Sequence, residues 1–313
     1  MAKPGGESKK VVYVAIVANL VIAIAKFTAA AFTGSSAMLA EGFHSSVDTI
    51  NELLLLIGLR RSAQPPDRSH PFGHGKELFF WSMIVAVSMF GIGGGMSIYE
   101  GVSGMLHPEG LQDAIWAYSV LGVAAVFEGY SWNIGRKALS RNRRTGESLW
   151  SVVRRSTNPA LFSPFVEDTA ALAGIAVAFL GVWLSHVFTS PYLDSAASIV
   201  IGIIMVGSAL VLAREVGALV VGESVDPRRM DEIRHAIEAH SSVERVGNVL
   251  TMQMGAEQVL LNADVRFRRE LNTAQLETAV DEIESAVRDK VPEVKRIFFE
   301  AEGLTGREPT QAA

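Results

Sequence analysis

Six apolar runs, each near or above the ~20 residues that carry a helix across a bilayer, dominate the first two thirds of this 313-residue chain. They cover residues 11–32, 38–59, 78–102, 114–135, 160–188 and 193–221. None shows the period-two alternation of a membrane strand. The first is too long for a signal peptide and has no small-residue cleavage site before the next run. Charged residues make up only 19% of the chain, against roughly 25% in a soluble domain, and there is no Cys. Disulfide scaffolds and thiolate metal sites are therefore excluded, an ordinary soluble enzyme is disfavoured, and no nucleophile or base motif points to catalysis.

Charge orders these runs. Residues 1–222 carry 16 basic and 15 acidic side chains, whereas residues 223–313 carry 12 and 18. Of the 16, 14 fall in three segments: the N-terminal tail, the connection after run two and the connection after run four. The alternate connections hold none. The positive-inside rule then places both termini in the cytoplasm. Lys26 and Arg214 remain near or within spans, and the simplest reading is that both snorkel to an interface.

After residue 222 the pattern becomes that of a small soluble domain. Asp226-Pro227 is a helix start, followed by Ile233, Ile237 and His240 at helical spacing. Two strands, 246–254 and 259–267, flank Gly255-Ala256-Glu257. A helix over 273–289 presents Leu276, Val280, Ile283 and Val287 on one face, and 294–299 is a last strand. The expected layout is a cytoplasmic tail (1–10), an all-α six-helix transmembrane domain (11–222), an α-β-β-α-β, ferredoxin-like cytoplasmic domain (223–303) and a disordered tail (304–313).

Ionisable groups inside spans cost at least ~2.5–3.5 kcal/mol at a helix centre, so they require a reason. Run two carries Glu41, His44, Asp48, Asn51 and Glu52. His44 and Asp48 are spaced i, i+4 and share a face with Asn51. Run five carries Glu167 and Asp168, and run four carries Glu128. Imidazole with carboxylates suits a borderline divalent ion such as Zn²⁺, accommodates Fe²⁺, Co²⁺ or Mn²⁺, and also binds protons. The alternative, a His–Asp pair that only pins two helices, is weakened by the acidic pair on another span. Glu128 is either a participant or a protonated packing residue, and Glu41 and Glu52 are expected near the interfaces.

A second group lies in the connection after run two, Asp67-Arg68-Ser69-His70-Pro71-Phe72-Gly73-His74-Gly75-Lys76-Glu77. Pro71 and Gly73 disfavour a regular helix, so the segment is a turn that can bring Asp67, His70 and His74 together, the alternative being a solvated loop with two surface His. In run three, Gly91, Gly93, Gly94 and Gly95 allow close helix approach, with Gly91-x-x-x-Gly95 as a small-residue packing pattern.

With six runs, His44-x-x-x-Asp48, the Ser69–Glu77 segment and an α-β-β-α-β tail, the chain resembles the cation diffusion facilitator family over about residues 10–302. The stretch from Gly34 to Asp48 is the most specific part. The resemblance implies a homodimeric carrier that removes Zn²⁺ or a related ion from the cytoplasm in exchange for protons. It implies a transport site of His44, Asp48 and Asp168, with the family's remaining ligand position falling on Pro164, which has no ligand atom. Glu167, Glu128, Asn51, Ser163 or water would complete the shell, and fewer His shifts preference toward harder ions such as Mn²⁺. The Phe-x-Glu-Asp-Thr-Ala-Ala-Leu stretch and Glu128-Gly-Tyr resemble a branch that includes a mitochondrial zinc transporter. Asp67, His70 and His74 match the family's loop ligands. In the tail, Asn248 and Ala263 stand near positions where relatives place His, which leaves Glu300 and Glu302 as weak candidates and packing as the expected means of dimerisation. A membrane metal sensor or scaffold that binds without flux is the competing expectation. The expected location is a bacterial inner membrane.

Overall fold

The computed structural model describes residues 7–108, 114–141 and 143–301. It divides into two units, one reaching to Arg61 and resuming over Glu77–Gly217, the other formed by Ser62–Lys76 and the chain from Ala218 onward.

The first unit is a bundle of long helices: α1 (Glu7–Thr33), α2 (Ser36–Ser62), α3 (Glu77–Ser88) continued by a π-helical turn (Met89–Gly94) and α4 (Gly95–Leu106), α5 (Ala114–Arg141), the short α6 (Leu149–Arg155), α7 (Pro159–Phe188) and α8 (Tyr192–Val221). Among the described residues, Glu77–Leu106, α7 and α8 are long and apolar enough to cross a membrane by length and composition. Helices α1, α2 and α5 are comparable in length at 27, 27 and 28 residues. In α2 the polar residues anticipated from sequence interrupt the apolar run.

The connections follow local chemistry. Gly34 takes a positive φ of 68° that ends α1. Ser35 then caps α2, accepting from the Met38 N–H at 3.1 Å. Asp194 of α8 reinforces that cap from across the bundle, accepting from Ser35 Oγ at 2.7 Å and from the Ala37 N–H at 3.2 Å. Asn158 caps α7, with Pro159 at the first turn. Helix α6 starts on Ser148, and Glu147 just before it is gripped by Arg155 at 2.7 Å.

The glycine pattern of the third span is corrected. A Cβ on Gly91 would meet nothing within 4 Å and one on Gly95 only Phe90 O at 3.8 Å, so among the described residues Gly91-x-x-x-Gly95 does not pack against another helix of the chain. A Cβ on Gly93 would instead strike Met205, and one on Gly94 would lie 2.6 Å from Val206 Cγ2. The π-helical turn shifts the helix register there, which moves the contact with α8 onto the middle pair.

In the second unit, α9 (Pro227–Glu238), β1 (Val243–Gly255), β2 (Gln258–Phe267), α10 (Thr273–Lys290) and β3 (Val294–Ala301) give the expected α-β-β-α-β order. The sheet order is β1-β2-β3, with β1–β2 antiparallel and β2–β3 parallel. Ile233, Ile237, Leu261, Ala263, Val265, Ile283, Val287 and Val294 form its core. On α10 the buried positions are Ala279, Ile283 and Val287, so Leu276 and Val280 only flank it. Leu250, Asn262 and Phe298 stand in one row across the strands, with Leu250 and Phe298 exposed.

Candidate metal sites

A column of polar side chains runs down α2: Glu41, His44, Ser45, Asp48 and Asn51 are all buried. Their i, i+3/i+4 spacing puts them on the face turned into the bundle. His44 Nε2 lies 3.5 Å from Asp48 Oδ2, which satisfies an ion-pair distance but does not make a hydrogen bond. Both ring nitrogens of His44, Asp48 Oδ1, Asn51 Oδ1, Ser163 Oγ and Glu52 Oε2 lack a hydrogen-bond partner among the described residues. Each such buried atom costs on the order of 1–3 kcal/mol. One or two would be unremarkable; the four on Asp48, Asn51, Ser163 and Glu52 belong to residues that line one space, which fits a site built for a guest.

That space is a cavity of about 50 Å³, room for one or two water-sized occupants, lined in part by Asp48, Asn51, Glu52, Ser163, Glu167 and Asp168. Pro164 also lines it, so the residue without a ligand atom occupies the wall itself. Glu167 accepts from Asn51 Nδ2 at 3.3 Å, joining α7 to α2. Asp168 accepts from Ser131 Oγ of α5 at 2.8 Å. Glu167 and Asp168 thus reach one cavity, although an ideal helix separates neighbours by about 100°. Glu128 is buried on α5, within electrostatic reach of Asp48 and Asp168. The structure borders the cavity with Asp48 and Asp168 but does not bring His44 into its lining, and the three do not close to metal-binding distance.

Two expectations are corrected. Lys26 does not snorkel: it is fully buried, donating to Glu41 Oε2 at 2.7 Å and to Ser45 Oγ at 2.8 Å. Glu41 is not interfacial, being buried as the other half of that pair. Glu52 accepts from Asn19 at 3.1 Å and lines the cavity. Single-chain reading missed these contacts because they join residues 15 and 33 positions apart on different helices. The available signal was a lone Lys in one apolar run facing a surplus of acids in the next. Arg214 is exposed on α8.

The loop cluster is of a different kind. Asp67 Oδ1 accepts from the His70 N–H at 2.6 Å and the Ser69 N–H at 2.8 Å, the geometry of an Asx turn. His70 Nδ1 lies 3.4 Å from Asp67 Oδ1, and His74 Nε2 lies 3.1 Å from Asp67 Oδ2. The His70 backbone N–H, then the His74 ring, hold the Asp67 carboxyl below the usual carboxylate range. Gly73 adopts φ 92°, which lets the chain turn sharply enough to return His74. Among the described residues this triad is the one group of three His, Asp or Glu whose ligand atoms lie within 4.8 Å of one another. A Cβ on Gly75 would strike the Met254 carbonyl oxygen and lie 3.0 Å from Gly255 Cα, so the loop rests on the β1–β2 turn.

In the tail, Glu300 is exposed, opposite Asp264 in the β2–β3 register. Glu302 and residues 304–313 lie outside the described residues, as do residues 1–6 of the N-terminal tail. His235 is exposed, and His240 pairs with Glu282 at 2.8 Å.

Comparison with known proteins agrees with this layout. Residues 12–219 match the family profile described as the cation efflux transmembrane domain, and residues 225–302 match that of the cation efflux protein cytoplasmic domain. The chain is 35% identical over 260 residues to the human mitochondrial proton-coupled zinc antiporter SLC30A9, covering 82% of this chain and 46% of that protein. It therefore spans about half the length of that relative. It is 23% identical over 298 residues to the manganese efflux system protein MneP of Bacillus subtilis, covering 93% and 95%. It is 24% identical over 307 residues to the magnetosome protein MamM of Magnetospirillum gryphiswaldense, covering 94% and 88%.

Proposed function

Because the chain belongs to the cation diffusion facilitator family, we propose that it carries a divalent metal cation out of the cytoplasm by alternating access, in exchange for protons. The observation that carries this reading is the set of buried, unpartnered ligand atoms on His44, Asp48 and Asn51, beside a cavity shared with Glu167 and Asp168. His44, Asp48 and Asp168 are the proposed ligands, and small rotations of their helices would close them on the ion. Glu167, Asn51 and Glu128 supply the remaining oxygen or carry protons. Binding through imidazole and carboxylates displaces protons, so metal and proton exclude each other chemically.

Zn²⁺ is the proposed cargo, in keeping with the name of the zinc antiporter relative. The oxygen-rich set and the manganese efflux relative make Mn²⁺ the main competitor, with Fe²⁺ and Co²⁺ behind it. Asp67, His70 and His74 form a second, separate metal site. The cytoplasmic domain pairs two copies through apolar packing, for which exposed Leu250 and Phe298 are suited. In this reading the protein sits in a bacterial inner membrane with both termini in the cytoplasm, an orientation that the basic connections support. No catalytic role is assigned. The preassembled loop triad favours one other reading, a membrane metal sensor or scaffold.

The deciding experiment reconstitutes the protein in sealed vesicles and follows Zn²⁺, Mn²⁺, Fe²⁺ and Co²⁺ with an internal indicator, with and without a pH gradient. Flux of one ion that responds to the gradient and vanishes in Asp168→Ala is expected. Binding without flux of any ion would transfer the assignment to the sensor.

A further inference from the structure

The bundle contains a second cavity, of about 340 Å³, lined by residues that include Phe27, Ser36, Glu100, His107 and Asp194. It shares no lining residue with the 50 Å³ cavity among the described residues. The helices order the two alike. On α1, Asn19 lines the smaller cavity and Phe27 the larger. On α2, Asp48 to Leu55 line the smaller, Ser36 and Leu39 the larger. On the third span, Ser82 and Val85 line the smaller, Glu100 to His107 the larger. Between them, on α1 and α2, sits the buried Lys26–Glu41–Ser45 cluster. Helix α7 closes it from the other side, since a Cβ on Gly174 would strike Glu41 Oε1 and lie 3.7 Å from His44 Nδ1.

We propose that the Lys26–Glu41 ion pair is an electrostatic gate between the two cavities, in which the Lys26 ammonium bars cations from crossing while the pair is closed. The proposal rests on the transport reading above and adds positioning residues to it; neither side chain is assigned as a ligand.

The physical case has two parts. An ammonium and a carboxylate in the apolar middle of a bundle cost desolvation that a hydrophobic pair of similar volume would avoid, so the pair is a poor device for stability alone. A fixed positive charge at a constriction is an effective barrier to metal ions and protons. Glu41 also keeps Oε1 without a partner among the described residues, on the side of His44. Charge arriving at the neighbouring His44 therefore acts directly on the Lys26–Glu41 attraction before an ion reaches the larger cavity.

The chain has no Cys, so one introduced thiol is a clean probe. In the full chain carrying Val85→Cys, in vesicles of defined orientation, cationic and neutral membrane-impermeant thiol reagents of similar size are applied from the face carrying Gly34 and His107. Adding Lys26→Met is expected to speed cationic labelling by about tenfold, the size of a typical coupling between sites, and neutral labelling by less. Lys26→Arg should leave both slow. An unchanged cationic rate in folded Lys26→Met overturns the gate. An equal gain for both reagents, or opening by Lys26→Arg, overturns the claim that charge does the gating. Should Lys26→Met fail to fold, Lys26→Gln, which is neutral but can still donate to Glu41, carries the same test, and an unchanged cationic rate there is equally fatal. Labelling requires no metal flux, so a wild type that moves no ion would sink the transport reading while the labelling rates still decide the gate.

Discussion

The loop cluster and the α2 column are built from the same chemistry, yet one is closed and the other is held open. Asp67, His70 and His74 already stand within metal-binding reach, with Asp67 and His70 exposed. There, water can stand in for a metal, and backbone N–H groups fix Asp67 at little cost. His44, Asp48 and Asp168 are not gathered, and the unpartnered atoms on the first two are buried. Leaving such atoms unsatisfied costs several kcal/mol in total. The contrast separates holding from handing on. A site that retains its ion is best preassembled, whereas a site that must release it gains from ligands that converge only part of the time.

Removing one column carboxylate should break the comparison most visibly. Asp48→Asn is expected to lower flux by more than about a hundredfold, since even a supporting partner of a metal ligand is worth about 10–100-fold. Flux in sealed vesicles measures the loss. Calorimetric titration of the same protein should still find the loop equivalent. Simultaneous loss of both would mean that the two clusters act as one site.

The converse substitution removes the loop carboxylate. Asp67→Asn, or His74→Ala, should weaken the loop equivalent by about 10–100-fold in titrations. Flux at saturating metal should fall only a few-fold. A flux loss as deep as that of Asp48→Asn would place the loop on the transport route and erase the distinction between holding and handing on.

A gentler perturbation leaves every ligand in place. Gly75→Ala puts a methyl group against the Met254 carbonyl and Gly255 at the β1–β2 turn. The overlap should cost about 1–3 kcal/mol, as overpacking commonly does, and should displace the loop. A lower denaturation midpoint of the full chain, with weaker loop binding and normal flux, is the expected signature. Unchanged loop affinity would show that the triad organises itself without its support.

How far the sequence could anticipate these sites depends on the range of the contacts involved. His44 and Asp48 were legible because four residues on a helix is a local spacing, and the Asp67–His74 turn because Pro71 and Gly73 act locally. The α-β-β-α-β order came from periodicity, which is likewise local. Lys26–Glu41 and Asp194–Ser35 were not legible, because each joins separate helices and nothing in a single run encodes which face meets which neighbour. The same limit misplaced the glycine face of the third span, where a π-helical turn shifts the register after residue 88.

The smallest expected effect comes from a carboxylate that is as firmly held as Asp67 but has no His beside it. Glu147 accepts from Arg155 Nε at 2.7 Å, from Arg155 Nη2 at 2.9 Å and from the Arg144 N–H at 2.9 Å. The Arg155 hydrogen bonds, then that of Arg144, pull its carboxyl down to about 2. A depressed folded pKa contributes stability above the unfolded value of about 4.5, and that contribution fades as pH falls through about 2. Arg155→Ala should return the Glu147 titration toward the ordinary range, as seen by carboxyl NMR, and loosen the segment before α6 near pH 4 rather than near 2. Metal affinity at the loop triad should not move. If it did, a shared basic field rather than local hydrogen bonding would be setting the charge on Asp67, and the loop could no longer be treated as self-contained beside the α2 column.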